Sequence, residues 1–335
     1  MAWDIPWQHE FRYPDQGWSI EACDADERAH HHDDDPSAED WRLWYYRYSR
    51  PDEGDGSGRL PAGPIVDFHT HAWVDSFAPR IREHFSGSFG ATPFDPGTLD
   101  GVRERKRALG VTKSVILPVP TKPSQVPLFN EWLRNYLHDP DIVPFMGIHP
   151  DMDDPAAEVH RCARLGFKGL KLHPINQNFR MADPRMFPVY EAAIEEGMVI
   201  LFHTGPGMDF DPIGPDWDCT PAEVERFYAR YPYKRAVMAH FGGHAQRFRV
   251  LPELHPEWPG YMDCSFVLGR IPNDYFLKIV RTYGVDRILF GTDSPWEWTA
   301  DFLRRLAHIG LTDDELRAIL YDNAARLLGL PPRKS

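Results

Sequence analysis

Histidine, lysine and aspartate recur along this chain where they could share a cation: His69 with His71, Lys171 with His173, then His203, His240 and Asp293. Each closes a short apolar run. Imidazole nitrogens joined by a carboxylate suit Zn²⁺, Fe²⁺ or Mn²⁺, with a coordination position left for water. A divalent ion held this way brings the pKa of its water down to about 7 and so makes a nucleophile near neutral pH. In extended backbone, residues two apart share a face, so both imidazoles of His69-Thr70-His71 can reach one ion. An isolated His-x-His carries little weight. Several independent run ends with a His or Asp at each carry much more.

Ligands this far apart in sequence need a scaffold that gathers them. From Pro64 onward, β-branched runs at 65–69, 114–119, 142–148, 169–173, 199–203, 236–240, 261–266 and 287–291 alternate with stretches of helical periodicity. The helical stretches include 126–137, 156–165, 188–196, 222–231, 276–283 and 300–309. Such alternation predicts parallel strands joined by right-handed crossovers, and eight repeats predict a closed ring. The expected fold is α/β, a (β/α)8 TIM barrel with an N-terminal extension: residues 1–60 form the extension and linker, and 61–335 the barrel. Barrels of this kind place catalytic groups at the C-terminal ends of their strands, where the runs above end. A closing helix is expected over 313–328, opening after Thr312 on acidic residues and stopping at Gly329.

Composition narrows the partners. The 335 residues carry a formal net charge of −13, which repels nucleic acid and anionic membrane surfaces at long range. No stretch approaches the roughly 20 apolar residues of a membrane span, and a cytoplasmic protein is expected. Cys23, Cys162, Cys219 and Cys264 lack Cys-x-x-Cys spacing, as expected of reduced thiols. The extension interleaves Trp3, Trp7, Trp18, Trp41, Trp44, Tyr45 and Tyr46 with an acidic, histidine-rich run at 30–35 and ends in a Gly-rich linker at 52–58. Its aromatics suggest packing on the barrel or on a neighbouring subunit, which leaves a homo-oligomer open. His30-His31-His32 reads as a solvated loop rather than a metal tract.

Further residues are candidates for contact with a small-molecule substrate. His149 and His173 end the third and fourth runs, Trp296 follows the last, and Arg270 could recognise a carboxylate. Asp263 on the seventh run could orient a ligand. The loop at 205–210 and Trp296-Glu297-Trp298 should border the mouth. Their aromatics fit a substrate with an apolar or ring portion, although core packing explains them equally well.

Val66-Asp67-Phe68-His69-Thr70-His71, Gly169-Leu170-Lys171-Leu172-His173-Pro174, Leu201-Phe202-His203-Thr204, Met238-Ala239-His240-Phe241 and Leu289-Phe290-Gly291-Thr292-Asp293-Ser294-Pro295 resemble, in order, the motifs of the amidohydrolase superfamily. The most similar branch is the amidohydrolase-related one that includes aminocarboxymuconate semialdehyde decarboxylase-like enzymes. The resemblance covers roughly residues 64 to 330, including the ending Asp322-Asn323-Ala324-Ala325-Arg326-Leu327-Leu328. It implies that His69, His71, His203 and Asp293 hold a divalent metal, Zn²⁺ first with Fe²⁺ or Mn²⁺ as alternatives, and that Asp293 takes a proton from bound water. In mononuclear members the counterpart of His240 is catalytic and unligated. The fourth-strand motif instead resembles dihydroorotase-like members, in which a carboxylated lysine bridges two metals. Lys171 would then be a carbamate shared by two ions, with His203 and His240 on the second. The alternative is a protonated Lys171 that binds a substrate carboxylate or pairs with an acid.

Three activities follow as expectations. The first is hydrolysis of an amide, lactone or related carbonyl bond by activated water, with His240 or the second metal stabilising the oxyanion. The second is non-oxidative decarboxylation of an unsaturated or aromatic acid. The third is oxygenation at a non-haem diiron centre, suggested by the extra nitrogens of His149, His173 and His240.

Overall fold

A computed structural model of the chain describes residues 58–81, 83, 96–205, 219–244 and 247–333. The aromatic extension, the His30–His32 run, Cys23 and residues 206–210 lie outside them. The first strand, β1 (Ile65–Thr70), is followed by α1 (Leu99–Ala108), β2 (Val111–Ile116), α2 (Gln125–Arg134), β3 (Ile142–Pro144) and β4 (Met146–Gly147). Next come α3 (Pro155–Leu165), β5 (Gly169–Leu172), α4 (Phe187–Glu195), β6 (Val199–Phe202), α5 (Pro221–Arg230) and β7 (Ala236–Met238). The chain continues through α6 (Arg247–Glu253), β8 (Tyr261–Asp263), α7 (Asn273–Tyr283), β9 (Ile288–Leu289) and α8 (Thr299–His308). It closes with α9 (Asp313–Arg317), a π-helical turn (Ala318–Asp322) and α10 (Asn323–Leu328).

All strand pairs are parallel, in the orders β1-β2-β3 and β4-β5-β6-β7-β8-β9. β3 and β4 are halves of the third run, divided at Phe145, so eight strand positions make up the TIM barrel. The ring joins up between β1 and the chain after β9. Phe68 N donates to Phe290 O at 2.8 Å, Asp293 N to His69 O at 2.9 Å and His71 N to Ser294 O at 2.6 Å. The strand parity is that of a filled barrel under a helical shell. Val199, Leu201, Val237 and Ala239 pack with Phe68 and Phe145. Ile200, Phe202, Met238 and Met262 pack with helix residues such as Val189, Val224, Phe227 and Ile279.

Local chemistry explains where the helices start and stop. Thr98, Asp154, Thr220 and Thr312 each accept a hydrogen bond from a first-turn amide, and Pro155 and Pro221 occupy the first turn of α3 and α5. Left-handed Gly166 and Gly329 end α3 and α10. Among the described residues no helix is long and apolar enough to cross a membrane. Cys162 and Cys264 are buried free thiols, and Cys219 is buried.

Several boundaries differ from expectation. The second strand is Val111–Ile116 instead of 114–119, and the last retains only Ile288–Leu289. The expected helix at 313–328 is broken by the π turn. Two helices, α1 and α6, were not foreseen.

A buried ion pair sits in the seam. Asp67 is wholly enclosed, Lys106 of α1 is 3% exposed, and the ammonium contacts Asp67 Oδ2. Asp67 Oδ1 accepts from the amides of His69 at 3.2 Å and Thr292 at 3.1 Å, and Oδ2 accepts from Thr292 Oγ1 at 2.6 Å. Lys106 also donates to Thr70 Oγ1 at 2.7 Å. Removing one member strands a buried charge. Lys106→Met should therefore lower unfolding stability by about 3–5 kcal/mol in chemical denaturation. A loss below about 1 kcal/mol would show that Asp67 does not need the ammonium. At the far end of the seam, Asn323 Nδ2 donates to Val285 O at 2.8 Å and Ile288 O at 2.7 Å. Asn323→Ala should cost about 1–3 kcal/mol in the same measurement.

Candidate metal centre

The polar run ends converge at one end of the barrel. The His69 ring centre lies 5.2 Å from those of His71 and His240. One ligating atom each from His69, His240 and Asp293 falls within 4.8 Å of the others, and all three residues are buried. His203 Nδ1 is 3.1 Å from His240 Nε2, and Lys171 Nζ is 3.1 Å from His69 Nε2. His69, His71, Lys171, His203, His240 and Asp293, from five strand ends, thus form one cluster.

Outer partners decide which nitrogens face inward. His69 Nδ1 donates to Asp263 Oδ2 at 2.8 Å, His71 Nδ1 to the Leu117 carbonyl at 2.7 Å and His240 Nδ1 to the Ser265 carbonyl at 3.0 Å. A carbonyl oxygen only accepts, so the proton of each neutral ring sits on Nδ1 and Nε2 presents a lone pair to the interior. A carbonyl or carboxylate behind the imidazole is how metal-binding histidines are oriented. Ser265 was not singled out from sequence, yet its hydroxyl lies 3.1 Å from His69 Nδ1 and 3.0 Å from His240 Nδ1. Asp263 bonds to two of these residues: its Oδ1 also accepts from the His240 amide at 3.1 Å.

Asp293 provides the test of fit. Its Oδ1 lies 3.1 Å from His71 Nε2 and 3.6 Å from His69 Nε2, yet it is buried and among the described residues accepts no hydrogen bond. Two lone pairs aimed at a carboxylate oxygen repel unless a cation lies between them. These residues fit a divalent ion.

Electrostatics agrees with this arrangement. Burial pushes His71 below the usual imidazole range, against the pull of Asp293. Burial, reinforced by His203, pushes His173 and His240 well below it. Neutral imidazole is the ligating form. Burial brings Lys171 down to about 8, opposed by Asp293 and Asp263. For Asp293, burial acts upward but is outweighed by His69, His71 and Lys171, and the carboxyl falls below its ordinary range.

The backbone turns two of these residues inward. His240 and Asp293 have φ of 56° and 62°. A non-glycine residue in this left-handed region costs about 1–3 kcal/mol and is held there by its surroundings. Val237 and Ala239 lie on the barrel's inner face, so an unbroken strand would turn His240 away from it. The left-handed residue redirects the side chain.

The remaining candidates differ in placement. His173 stacks on His203 with ring centres 3.9 Å apart. Trp296 packs edge-on against Trp73 at 5.6 Å, and Trp73 stacks on His71 at 6.5 Å. Arg270 pairs with Glu297 and lies 3.9 Å over the Phe266 ring, so it already has a carboxylate of the chain's own. Burial pushes Glu297 up to about 7 despite Arg270. His149 accepts from the Asp151 amide at 3.2 Å, and among the described residues no hydrogen bond or ring contact joins it to the cluster. His244, also missed from sequence, is buried with its ring 4.9 Å from that of His240.

Solved structures share this architecture at low identity. The 5-carboxyvanillate decarboxylase LigW from Sphingomonas paucimobilis superposes with a TM-score of 0.60 at 14% identity, over 81% of this chain and 100% of that one. A dihydroxybenzoic acid decarboxylase from Polaromonas sp. JS666, with bound manganese and the inhibitor 2-nitroresorcinol, gives 0.60 at 15% identity, over 80% and 97%. A provisionally assigned 2-pyrone-4,6-dicarboxylic acid hydrolase from Pseudomonas putida gives 0.57 at 19%, over 81% and 98%. At these identities the likeness speaks for the barrel alone. No curated protein matches the sequence. The amidohydrolase family model matches residues 66–330, and the chain belongs to that family.

Proposed function

We propose that this chain is a metal-dependent hydrolase acting on an amide, lactone or related carbonyl bond of a small molecule. The observation that carries the reading is Asp293 Oδ1, a buried carboxylate oxygen facing two imidazole lone pairs with no hydrogen bond of its own. Such a group can hold a cation and take a proton in the same place. In this reading His69, His71 and Asp293 hold one ion, Zn²⁺ first with Fe²⁺ or Mn²⁺ as alternatives. Lys171, were it carboxylated, would help to hold a second ion together with His203 and His240. Divalent ions there supply an acidified water and a Lewis acid for the substrate carbonyl.

The chain's own residues do the rest. Asp293 takes the proton of the attacking water and returns it to the leaving group. Asp263 and Ser265 keep His69 and His240 in the required tautomer. Burial of Lys171 leaves a fraction of neutral amine, the form that can add carbon dioxide. His173, stacked on His203, and Trp296, packed on Trp73, are placed to contact substrate. Arg270 and His149 are less directly placed.

Decarboxylation is the second reading, favoured by the two decarboxylases of like fold. The same cluster would then hold the substrate carboxylate, and His240 or Asp293 would manage the proton.

Asp293→Asn should keep its metal while turnover of an amide and lactone panel falls about 10²–10⁴-fold. Normal turnover in that variant would remove Asp293 from the mechanism. Elemental analysis in bicarbonate should find two ions per chain, and Lys171→Met should hold fewer. A single ion that ignores bicarbonate rules out the bridge. Carbon dioxide release without hydrolysis would transfer the assignment to the decarboxylase reading.

A further inference from the structure

The imidazoles on the far side of the cluster outnumber those used so far. Rings bound to one tetrahedral ion at about 2.0–2.1 Å keep their centres about 5 Å apart and their ligating nitrogens about 3.3 Å apart. His203 and His240 are 4.8 Å apart, His240 and His244 4.9 Å, and His203 and His244 5.7 Å. His203 Nδ1 and His240 Nε2 are separated by 3.1 Å. The three planes are inclined to one another at 69°, 68° and 43°, as for ligands approaching a point from different sides. His173 fails the same test: its ring is 3.9 Å from His203 and tilted only 7°, so the two lie face to face and cannot converge on one ion.

The local fold places His244 deliberately. His240, Phe241 and Gly242 all have positive φ and fold the chain back, so residues four apart both face the cluster. The His244 amide donates to Thr204 O at 3.0 Å, beside His203. Gly205 permits this approach, since a Cβ there would lie 2.1 Å from the His244 carbonyl oxygen. The ring is 3% exposed.

From this geometry we infer that His244 is the third nitrogen ligand of the second ion, beside His203 and His240. The inference rests on the two-ion reading above and adds the character of the second site. Three imidazoles favour Zn²⁺ or Fe²⁺ over Mn²⁺ and Mg²⁺, whereas the first site includes a carboxylate and is less selective.

The test uses the full-length protein, stripped by chelation and titrated with Zn²⁺ in bicarbonate, with stoichiometry and affinity read by calorimetry and elemental analysis. The wild type should take two ions. His244→Phe keeps an aromatic ring against Phe266. It should hold the first ion unchanged and weaken the second more than 100-fold, beyond the roughly 10–100-fold cost of a residue that only orients a ligand. His173→Phe should retain both ions. Two ions at wild-type affinity in His244→Phe overturn the assignment of His244 alone. One ion in the wild type overturns the two-ion reading beneath it, and none overturns the metal reading altogether. Should His244→Phe fail to fold, His244→Asp trades nitrogen for oxygen and should shift the second site's preference toward Mn²⁺ about 10-fold. An unchanged Mn²⁺/Zn²⁺ ratio counts against the ligand.

Discussion

One buried carboxylate closes the barrel where the site is built. Asp67 accepts from the amides of His69 and Thr292, residues on opposite sides of the seam and within one position of both a candidate histidine and Asp293. The seam hydrogen bonds then run on through Asp293 N to His69 O and His71 N to Ser294 O. The separation of His69, His71 and Asp293 is therefore a backbone distance, set by a ladder instead of by flexible side chains. Enclosing a charge this deeply is tolerable only because both Asp67 oxygens are fully engaged.

The β8 carboxylate performs a similar task. Asp263 Oδ2 holds His69 Nδ1, and its Oδ1 holds the amides of His240 and Ser265. A single group thereby fixes the His69 ring and the backbone of His240. Its charge is retained: burial acts upward, but His69 and the hydrogen bonds from His69, Ser265 and the His240 amide outweigh it and leave the carboxyl below its usual range. The left-handed backbone at His240 and Asp293 belongs to the same economy of position, because each costs conformational energy that the surrounding bonds must offset.

Much of this was legible from residue types. Alternating runs specified the barrel, and the histidines ending four of them, with Asp293 just past the last, marked the end where the polar residues gather. Boundaries blurred for physical reasons. The apolar stretch Val115-Ile116-Leu117-Pro118-Val119 continues past Ile116, where β-pairing stops and Pro118 can offer no amide to a ladder. α1, with Asp100, Arg103, Glu104, Arg105, Lys106 and Arg107, shows almost no apolar periodicity, so its helix was hidden. Lys106 is one basic residue among several there, and only its burial against Asp67 distinguishes it. His244 needed the left-handed turn after β7, at which Gly242-Gly243 hint but which His240 and Phe241 do not announce. Its four-residue spacing from His240 was the other available signal.

Hydrogen-bond accounting divides the labour among the carboxylates at the cluster. Asp67 and Asp263 have both oxygens bonded within the protein, which fits them to hold geometry and leaves them nothing with which to move a proton. Of these three, only Asp293 keeps a buried oxygen unbonded among the described residues. The charge of Lys171 then bears on what can approach Asp293. As an ammonium beside His69, it would attract a substrate carboxylate, the group that decarboxylation requires. As a carbamate it would be anionic and would need cations on both sides, whose charge would more than offset its own. The protonation and carboxylation of one buried amine therefore decide whether the positive charge beside Asp293 comes from the chain itself or from bound ions, while the barrel, the seam and the histidine tautomers stay the same.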